Sequence, residues 1–272
     1  VVGGTYIIHE EVVADGYVKA TDIPFTVTDE AVNQHYDVVD KVVTVSKIDM
    51  GGEEISGASM SVTDEAGNVV DQWTSDGTEH HIKNLEEGKS YVLHEDLAPT
   101  GYVKATDIPF TVDGADEDGV KVDQHIDMTD KKVTINKTDG NGNEVENAKI
   151  IITDENGEVV DQWTSDGTIH DVENLEVGKT YTWHEEYNED IFGYYYAEDY
   201  TFTVTDDGID QNLEMVDSPI KYQIVKVDEN GDNVKGVTLT LTDITDVNNP
   251  KEIELPNDGV TTGEPFDIGT LV

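Results

Sequence analysis

Cysteine is absent from the 272 residues, which excludes disulfide stapling, thiol catalysis and thiolate-held metals. Basic residues are scarce: 16 Lys and Arg stand against 60 Asp and Glu, a formal net charge of −44. A surface of that sign repels phosphate backbones and anionic lipid headgroups, so neither nucleic acid nor an anionic membrane is an expected partner. Proline contributes only 7 residues, and no apolar run is long enough to span a bilayer. No leader peptide is recognisable and the first residue is Val1, so a processed product or a piece of a longer parent is expected, silent about compartment. The 36% apolar content is lean, yet its regular patterning argues against a disordered acidic tail.

Internal repetition sets the organisation. The words GYVKATDIPFTV stand identically at Gly16–Val27 and Gly101–Val112, and DQWTSDGT at Asp71–Thr78 and Asp161–Thr168. Three looser series run with them. VTVSKID, VTINKTD and YQIVKVD end at Asp49, Asp139 and Asp228; YIIHEE, YVLHED and YTWHEE begin at Tyr6, Tyr91 and Tyr181. QHYDVVD, QHIDMTD and QNLEMVD end at Asp40, Asp130 and Asp217. The period is roughly 90 residues.

Four segments are therefore expected: 1–40, the closing half of a unit; 41–131 and 132–219, two complete units; and 220–272, the opening half of another. Joining FDIGTLV at the chain's end to VVGGTYIIHEE at its start approximately restores the word HHIKNLEEGKSYVLHED of residues 80–96. The chain reads as one period of a tandem array cut inside a unit, the missing halves either lost or supplied by a neighbouring chain.

Within a unit, short segments such as VTVSK, SMSVTD, VVDQW, YVLHE, PFTV and HIDMTD alternate and are rich in β-branched and aromatic residues. Asp-Glu-Ala-Gly at 64–67, Ser-Asp-Gly at 75–77 and Asp-Glu-Asn-Gly at 154–157 and 228–231 punctuate them as turns. No helical stripe persists. The expected fold is all-β, a tandem of immunoglobulin-like β-sandwiches with about seven strands per unit.

Period two also assigns faces. Val43, Val45 and Lys47 share one side of the opening strand, as do Val133, Ile135 and Lys137, and Tyr222, Ile224 and Lys226. In a middle strand, Glu95 aligns with Tyr91 and Leu93, Glu185 with Tyr181 and Trp183, and Glu10 with Tyr6 and Ile8. The closing strand aligns Asp130 with Ile126 and Met128, Asp217 with Leu213 and Met215, and Asp40 with Tyr36 and Val38. One lysine, one glutamate and one aspartate per unit thus stand on apolar faces, where an unpaired charge is costly. Two arrangements meet that cost: a buried polar cluster, or strand ends from which long stems carry the charges to water.

In a cluster, burial lowers a lysine pKa and raises a carboxyl pKa until the neutral pair is populated. A neutral amine is a nucleophile and a neutral carboxylic acid an attackable carbonyl. With a second carboxyl shuttling the proton and all three groups held in place, the pair can condense to an amide and one water.

These series resemble the Cna B-type domain of Gram-positive surface adhesins and pilins, a prealbumin-like sandwich also called the SpaA-type fold. Within that family they look most like the fibronectin-binding-protein domain that was split into a peptide tag and its catcher. The likeness is carried by Lys47-Ile48-Asp49 followed by Gly57-Ala58, by Leu85, Gly88 and Tyr91 leading to Glu95, by Ala98–Tyr102, and by His125, Ile126, Met128 and Asp130. It covers essentially the whole chain. The resemblance implies that Lys47 and Asp130 are bonded with Glu95 catalytic, and that Lys137 and Asp217 are bonded with Glu185 catalytic. Lys226, Glu10 and Asp40 are then the dispersed set of the divided unit. Aspartate at all three closing positions, where many members carry asparagine, implies release of water rather than ammonia. The second unit departs at Asn188–Ile191, which replace the Ala-Pro step, and places Glu186 beside Glu185; strand phase favours Glu185. His9, His94 and His184 fall on the opposite face, as solvent-facing cross-strand neighbours rather than acid–base partners.

Other signals are weaker. The Asp-Glu-Asn-Gly words lack the terminal bidentate glutamate of a calcium loop and read as turns, so no metal or cofactor is expected. Trp73 and Trp163 recur inside one word, as packing residues would. With no Ser-His-Asp order, phosphate loop or zinc pattern, the chain is not expected to be an enzyme beyond its own cross-linking. The expected function is a structural repeat region of an extracellular stalk, pilus or fibre, at the cell surface or secreted. Isopeptide bonds would stiffen it, and it would self-associate head-to-tail through the half domains. The alternative is an adhesin region binding a host or matrix protein, for which Tyr194–Tyr196 with Tyr200 form the candidate aromatic patch.

Overall fold

The computed structural model describes residues 1–30, 33–114, 120–186, 188 and 193–269. Between Val43 and Asp130 two sheets face one another. One is 3-stranded, with Val43–Asp49 lying between His80–His81 and Gln124–Asp130; the other is 4-stranded, in the order Val69–Asp76, Ser56–Asp64, Ser90–Leu97, Ile108–Thr111. Alternation decides what fills the space between them. Along Ser90–Leu97, Tyr91, Leu93 and Glu95 are buried while Val92 and His94 are half-buried. Met60, Val62, Ile82 and Met128 complete the apolar filling.

The opening and closing strands run parallel, in register from Val43 opposite Gln124 to Asp49 opposite Asp130. Parallel neighbours cannot be joined by a tight turn, so the rest of the unit is the connection between them. Lys47 faces Met128, which leaves Asp130 as its diagonal neighbour, within reach of a long side chain.

The second unit repeats the plan. Its first sheet orders His170–Asp171, Val133–Asp139, Gln211–Pro219 and Tyr194–Tyr195; its second orders Val159–Thr164, Lys149–Thr153, Thr180–Glu186 and Tyr200–Thr203. Val133 to Asp139 again pairs in parallel with Gln211 to Asp217.

Turn chemistry follows the aspartates. Asp64 Oδ1 accepts the N–H groups of Ala66 and Asn68 at 2.9 and 2.8 Å, and Asp154 Oδ1 those of Asn156 and Glu158 at 2.9 and 2.8 Å. Gly67 and Gly157 complete these hairpins at φ 81° and 80°, a left-handed conformation that glycine adopts without steric cost. The Asp139 carboxyl is pulled down to about 2, first by the Asn143 side chain and then by backbone donors of its turn. The chain's own N–H groups thus occupy the carboxylates that a calcium loop would use.

Adjacent units share core. Val103, in a loop of the first unit, is fully buried in the hydrophobic cluster of the second, and Val18 is buried in that of the first. Val18 and Lys19 donate their N–H groups to Lys41 O and Leu85 O, both at 2.9 Å, and Val103 and Lys104 donate to Lys131 O and Leu175 O, both at 2.9 Å. The identical GYVKAT words are therefore a docking element used twice, and no free linker separates the units.

The terminal segments contain partial sheets. Thr5–Ile8 pairs with Ile23–Thr26, and residues 33–40 form no strand. Tyr222–Ile224 pairs with Phe266–Gly269, and Leu241–Asp243 with Lys251–Ile253. Residues 270–272, part of the end-to-start join, lie outside the described residues.

Candidate functional site

Each complete unit encloses one amine and two carboxyls. Lys47 comes from the opening strand, Glu95 from the facing sheet and Asp130 from the end of the closing strand, with side-chain exposures of 2%, 0% and 0%. Lys47 Nζ donates to Asp130 Oδ1 and lies 3.1 Å from Glu95 Oε1. Glu95 Oε2 accepts the Ala105 N–H at 2.6 Å. In the second unit Lys137 Nζ meets Asp217 Oδ1 and lies 3.3 Å from Glu185 Oε2. The Ala197 N–H reaches both Glu185 Oε2, at 3.0 Å, and Asp217 Oδ1, at 2.8 Å. Of the two arrangements compatible with strand phase, the buried cluster is the one found.

One cation facing two carboxylates would leave a net negative charge in an apolar core. Protonation removes it. Burial, reinforced by the Glu95 charge and opposed by Lys47, pushes Asp130 up to about 7. Burial, reinforced by the facing Asp217 carboxyl and opposed by Lys137, pushes Glu185 up to about 7. Asp130 Oδ2, and likewise Glu185 Oε1 and Asp217 Oδ2, are buried without a hydrogen-bond donor. A proton on one carboxyl of each pair supplies that donor and cancels the excess charge. Moving the lysine's proton to the other carboxyl then yields a neutral amine in contact with a neutral acid, the form able to condense.

The flanking residues sort by face. Glu186 is exposed while Glu185 is buried. His94 Nε2 meets Thr63 Oγ1 at 2.8 Å and its Nδ1 lies 3.0 Å from Asp107; His9 and His184 pair with Asp22 and Asp199 at 2.5 and 2.6 Å. All three histidines contact cross-strand partners on the outer face. Trp73 and Trp163 stack on His80 and His170, with centroids 4.0 and 3.9 Å apart, and pack against the cores. The tyrosine cluster divides: Tyr194 and Tyr196 pack onto the second core, whereas Tyr195 and Tyr200 are exposed. Of the Asn188–Ile191 replacement, residues 189–191 lie outside the described residues.

Lys226, Glu10 and Asp40 are not brought together as a triad. Lys226 Nζ bonds Val227 O at 2.7 Å in an exposed setting, while Glu10 Oε2 accepts the Ala20 N–H at 2.7 Å. The contributors that side-chain patterning does not reveal are the Ala20, Ala105 and Ala197 N–H groups. Their signal was an alanine four residues beyond each glycine of Gly16, Gly101 and Gly193.

No curated protein matches the chain. Among solved structures, shaft pilin SpaA from Lactobacillus rhamnosus GG aligns at 14% identity over 66% of this chain and 97% of its own, with a TM-score of 0.30. The streptococcal ancillary pilin aligns at 18% over 79% and 75%, with a TM-score of 0.33. The Bacillus anthracis TIE protein aligns at 19% over 79% and 42%, with a TM-score of 0.27. The family model for the SpaA prealbumin-like fold domain matches twice, over residues 41–127 and 131–219. Together these two matches take in most of the chain, so the chain belongs to the SpaA family of prealbumin-like fold domains.

Proposed function

We propose that the chain is a stretch of an extracellular, cell-surface structural protein of the pilin and adhesin type. Each complete unit locks itself with an isopeptide bond, Lys47 to Asp130 and Lys137 to Asp217. The observation that carries this is the contact of each lysine Nζ with an aspartate carboxyl, a second carboxyl beside it, twice over in cores closed to water.

The neutral lysine Nζ attacks the aspartic acid Cγ. Glu95 or Glu185 takes a proton from the nitrogen and returns one to the leaving hydroxyl; a C–N bond forms, a C–O bond breaks and one water departs. A buried ion pair becomes an uncharged amide, which relieves its desolvation cost. Because the bonded strands are the first and last of a unit, tension entering at the opening strand crosses to the closing strand through the amide and bypasses the chain between.

Intact mass measured under denaturing conditions tests the proposal. The chain should fall short of its sequence mass by one water for each of the two bonds, and Glu95→Gln and Glu185→Gln should each regain one. A chain of full sequence mass would overturn it.

A further inference from the structure

The two complete units differ in where their loop delivers its backbone donor. In the first, the Ala105 N–H stands 10 residues beyond Glu95 and donates to Glu95 Oε2 at 2.6 Å. Asp130 receives the Lys47 Nζ on Oδ1, and its Oδ2 has no partner. In the second, the donor stands 12 residues beyond its glutamate and is forked. The Ala197 N–H lies 3.0 Å from Glu185 Oε2 and 2.8 Å from Asp217 Oδ1. A backbone donor therefore touches the carboxyl that Lys137 faces.

The short edge strand holds it there. Tyr194 and Tyr195 pair with Pro219 and Ser218, and the Ile220 N–H donates to Gly193 O at 2.6 Å. The chain leading into Ala197 is thus stitched to the closing strand immediately after Asp217. The corresponding residues 101–103 form no strand; Val103 donates its N–H to Lys131 O at 2.9 Å, and the Ala105 N–H stays with Glu95.

We propose that the Ala197 N–H is a catalytic oxyanion donor of the second unit, holding Asp217 Oδ1 while Lys137 Nζ attacks Asp217 Cγ, and that the first unit closes without an equivalent. This rests on the amide-forming reading of the triads. Reaction starts from the neutral amine and the neutral acid with its proton on Oδ2. Attack forms the C–N bond and moves the electron pair of the carbonyl onto Oδ1. A resting carboxylate spreads its charge over two oxygens, whereas the tetrahedral adduct concentrates it on one. The N–H bond to Oδ1 therefore strengthens as the adduct forms, and it favours the transition state over the ground state. Glu185 takes a proton from the nitrogen and returns one to Oδ2, the C–Oδ2 bond breaks and one water departs. Oδ2, buried without a donor, is the oxygen free to leave; Oδ1 remains as the carbonyl of the new amide, still on the Ala197 N–H.

The test times both links in one sample. The full chain is made by cell-free translation, held in denaturant and refolded by dilution, and quenched samples are digested and mapped by mass spectrometry. Replacing Ala197 by lactic acid turns its N–H into an ester oxygen and keeps the methyl group. The Lys137–Asp217 link should then form about 100-fold more slowly, with the Lys47–Asp130 link unchanged. Ala197→Gly keeps the N–H and should close within a few-fold of the parental rate. Ala197→Pro deletes the donor by a second route and should slow the same link; circular dichroism establishes that the chains compared are folded. The same ester at Ala105, which touches the relaying glutamate and not the attacked acid, should slow the first link far less. Parental closure in a folded chain lacking the Ala197 N–H would overturn the oxyanion role. An Ala105 ester as damaging as the one at 197 would overturn it too, since both donors would then act by holding a glutamate. An unaltered chain that forms no Lys137–Asp217 link would overturn the amide-forming reading itself, an outcome distinct from a link that forms at a rate indifferent to the donor.

Discussion

Replacing Glu95 by Gln should abolish the Lys47–Asp130 bond while leaving the first sandwich folded. Glutamine keeps the volume, and its carbonyl oxygen can still accept the Ala105 N–H that Glu95 holds at 2.6 Å. It carries no titratable proton to pass between amine and acid. Lys47 and Asp130 remain as a buried pair that is electrically neutral without the Glu95 charge. What disappears is the closure of a loop spanning 83 residues, which on the loop-entropy estimate is about 4.5 kcal/mol. One kcal/mol moves the midpoint of a domain this size by about 4–8 °C, so the first unit should melt roughly 20–35 °C lower.

Differential scanning calorimetry paired with intact mass reads both halves of that expectation. The comparison with Asp130→Ala separates the bond from the burial. That variant loses the same bond and still leaves Lys47 paired with Glu95 at 3.1 Å, but it empties the space of the buried Asp130 carboxyl, so it should melt below Glu95→Gln by the cost of that cavity. A Glu95→Gln chain that regains its water yet melts within a few degrees of the parent would refute the loop-closure reasoning. One that keeps its water deficit would refute the proton-relay role.

In the second unit, Lys137→Met leaves two buried carboxyls and no bond. Because burial and the facing Asp217 raise Glu185 in the fold and Lys137 opposes the rise, removing the lysine drives it further up; its proton stabilises the native state below the unfolded pKa of about 4.3, and that stability is lost as pH rises from there through the folded value. The variant's stability should therefore fall by about 1.4 kcal/mol per pH unit between those limits, and a melting temperature that climbs from pH 5 to pH 7 would contradict it.

The triads were legible because strand phase is a strict constraint. Lys47, Glu95 and Asp130 each fall two residues from a buried apolar neighbour, and a period of two permits only one face. The parallel register of the outer strands was not legible, since alternation assigns a face and carries no information about which strand lies beside which. Backbone donors such as the Ala105 N–H leave no mark on side-chain patterning. The short Tyr194–Tyr195 edge strand was hidden for a related reason: it is too short for alternation to register, and its pairing with Ser218 and Pro219 extends the closing strand past Asp217. Tyr194 and Tyr196 resembled an exposed patch because adjacent aromatics say nothing about how a loop folds back, and both turn inward.

Val103 was the least legible residue and carries the last prediction. Valine in a loop signals little by itself, yet its side chain is fully buried in the next unit's core. Two residues further on, the Ala105 N–H holds Glu95 in the first unit's triad. One short loop therefore fills a neighbour's core and positions the acid that serves its own. Val103→Ala removes two buried methyl-sized groups, a loss of about 2 kcal/mol from transfer and cavity terms together. That loss should fall on the second unit, lowering its transition by about 8–16 °C while the cross-linked first unit keeps its own. The same substitution loosens the anchor next to Ala105, so refolding from denaturant of a freshly translated, uncross-linked chain should close the Lys47–Asp130 bond more slowly than the parent, with an unchanged final yield. Peptide mapping over time measures that rate, and calorimetry measures the transition. A first unit that closes at the parental rate would show that docking and catalysis are independent, and a second unit that melts unchanged would show that Val103 contributes nothing to its core.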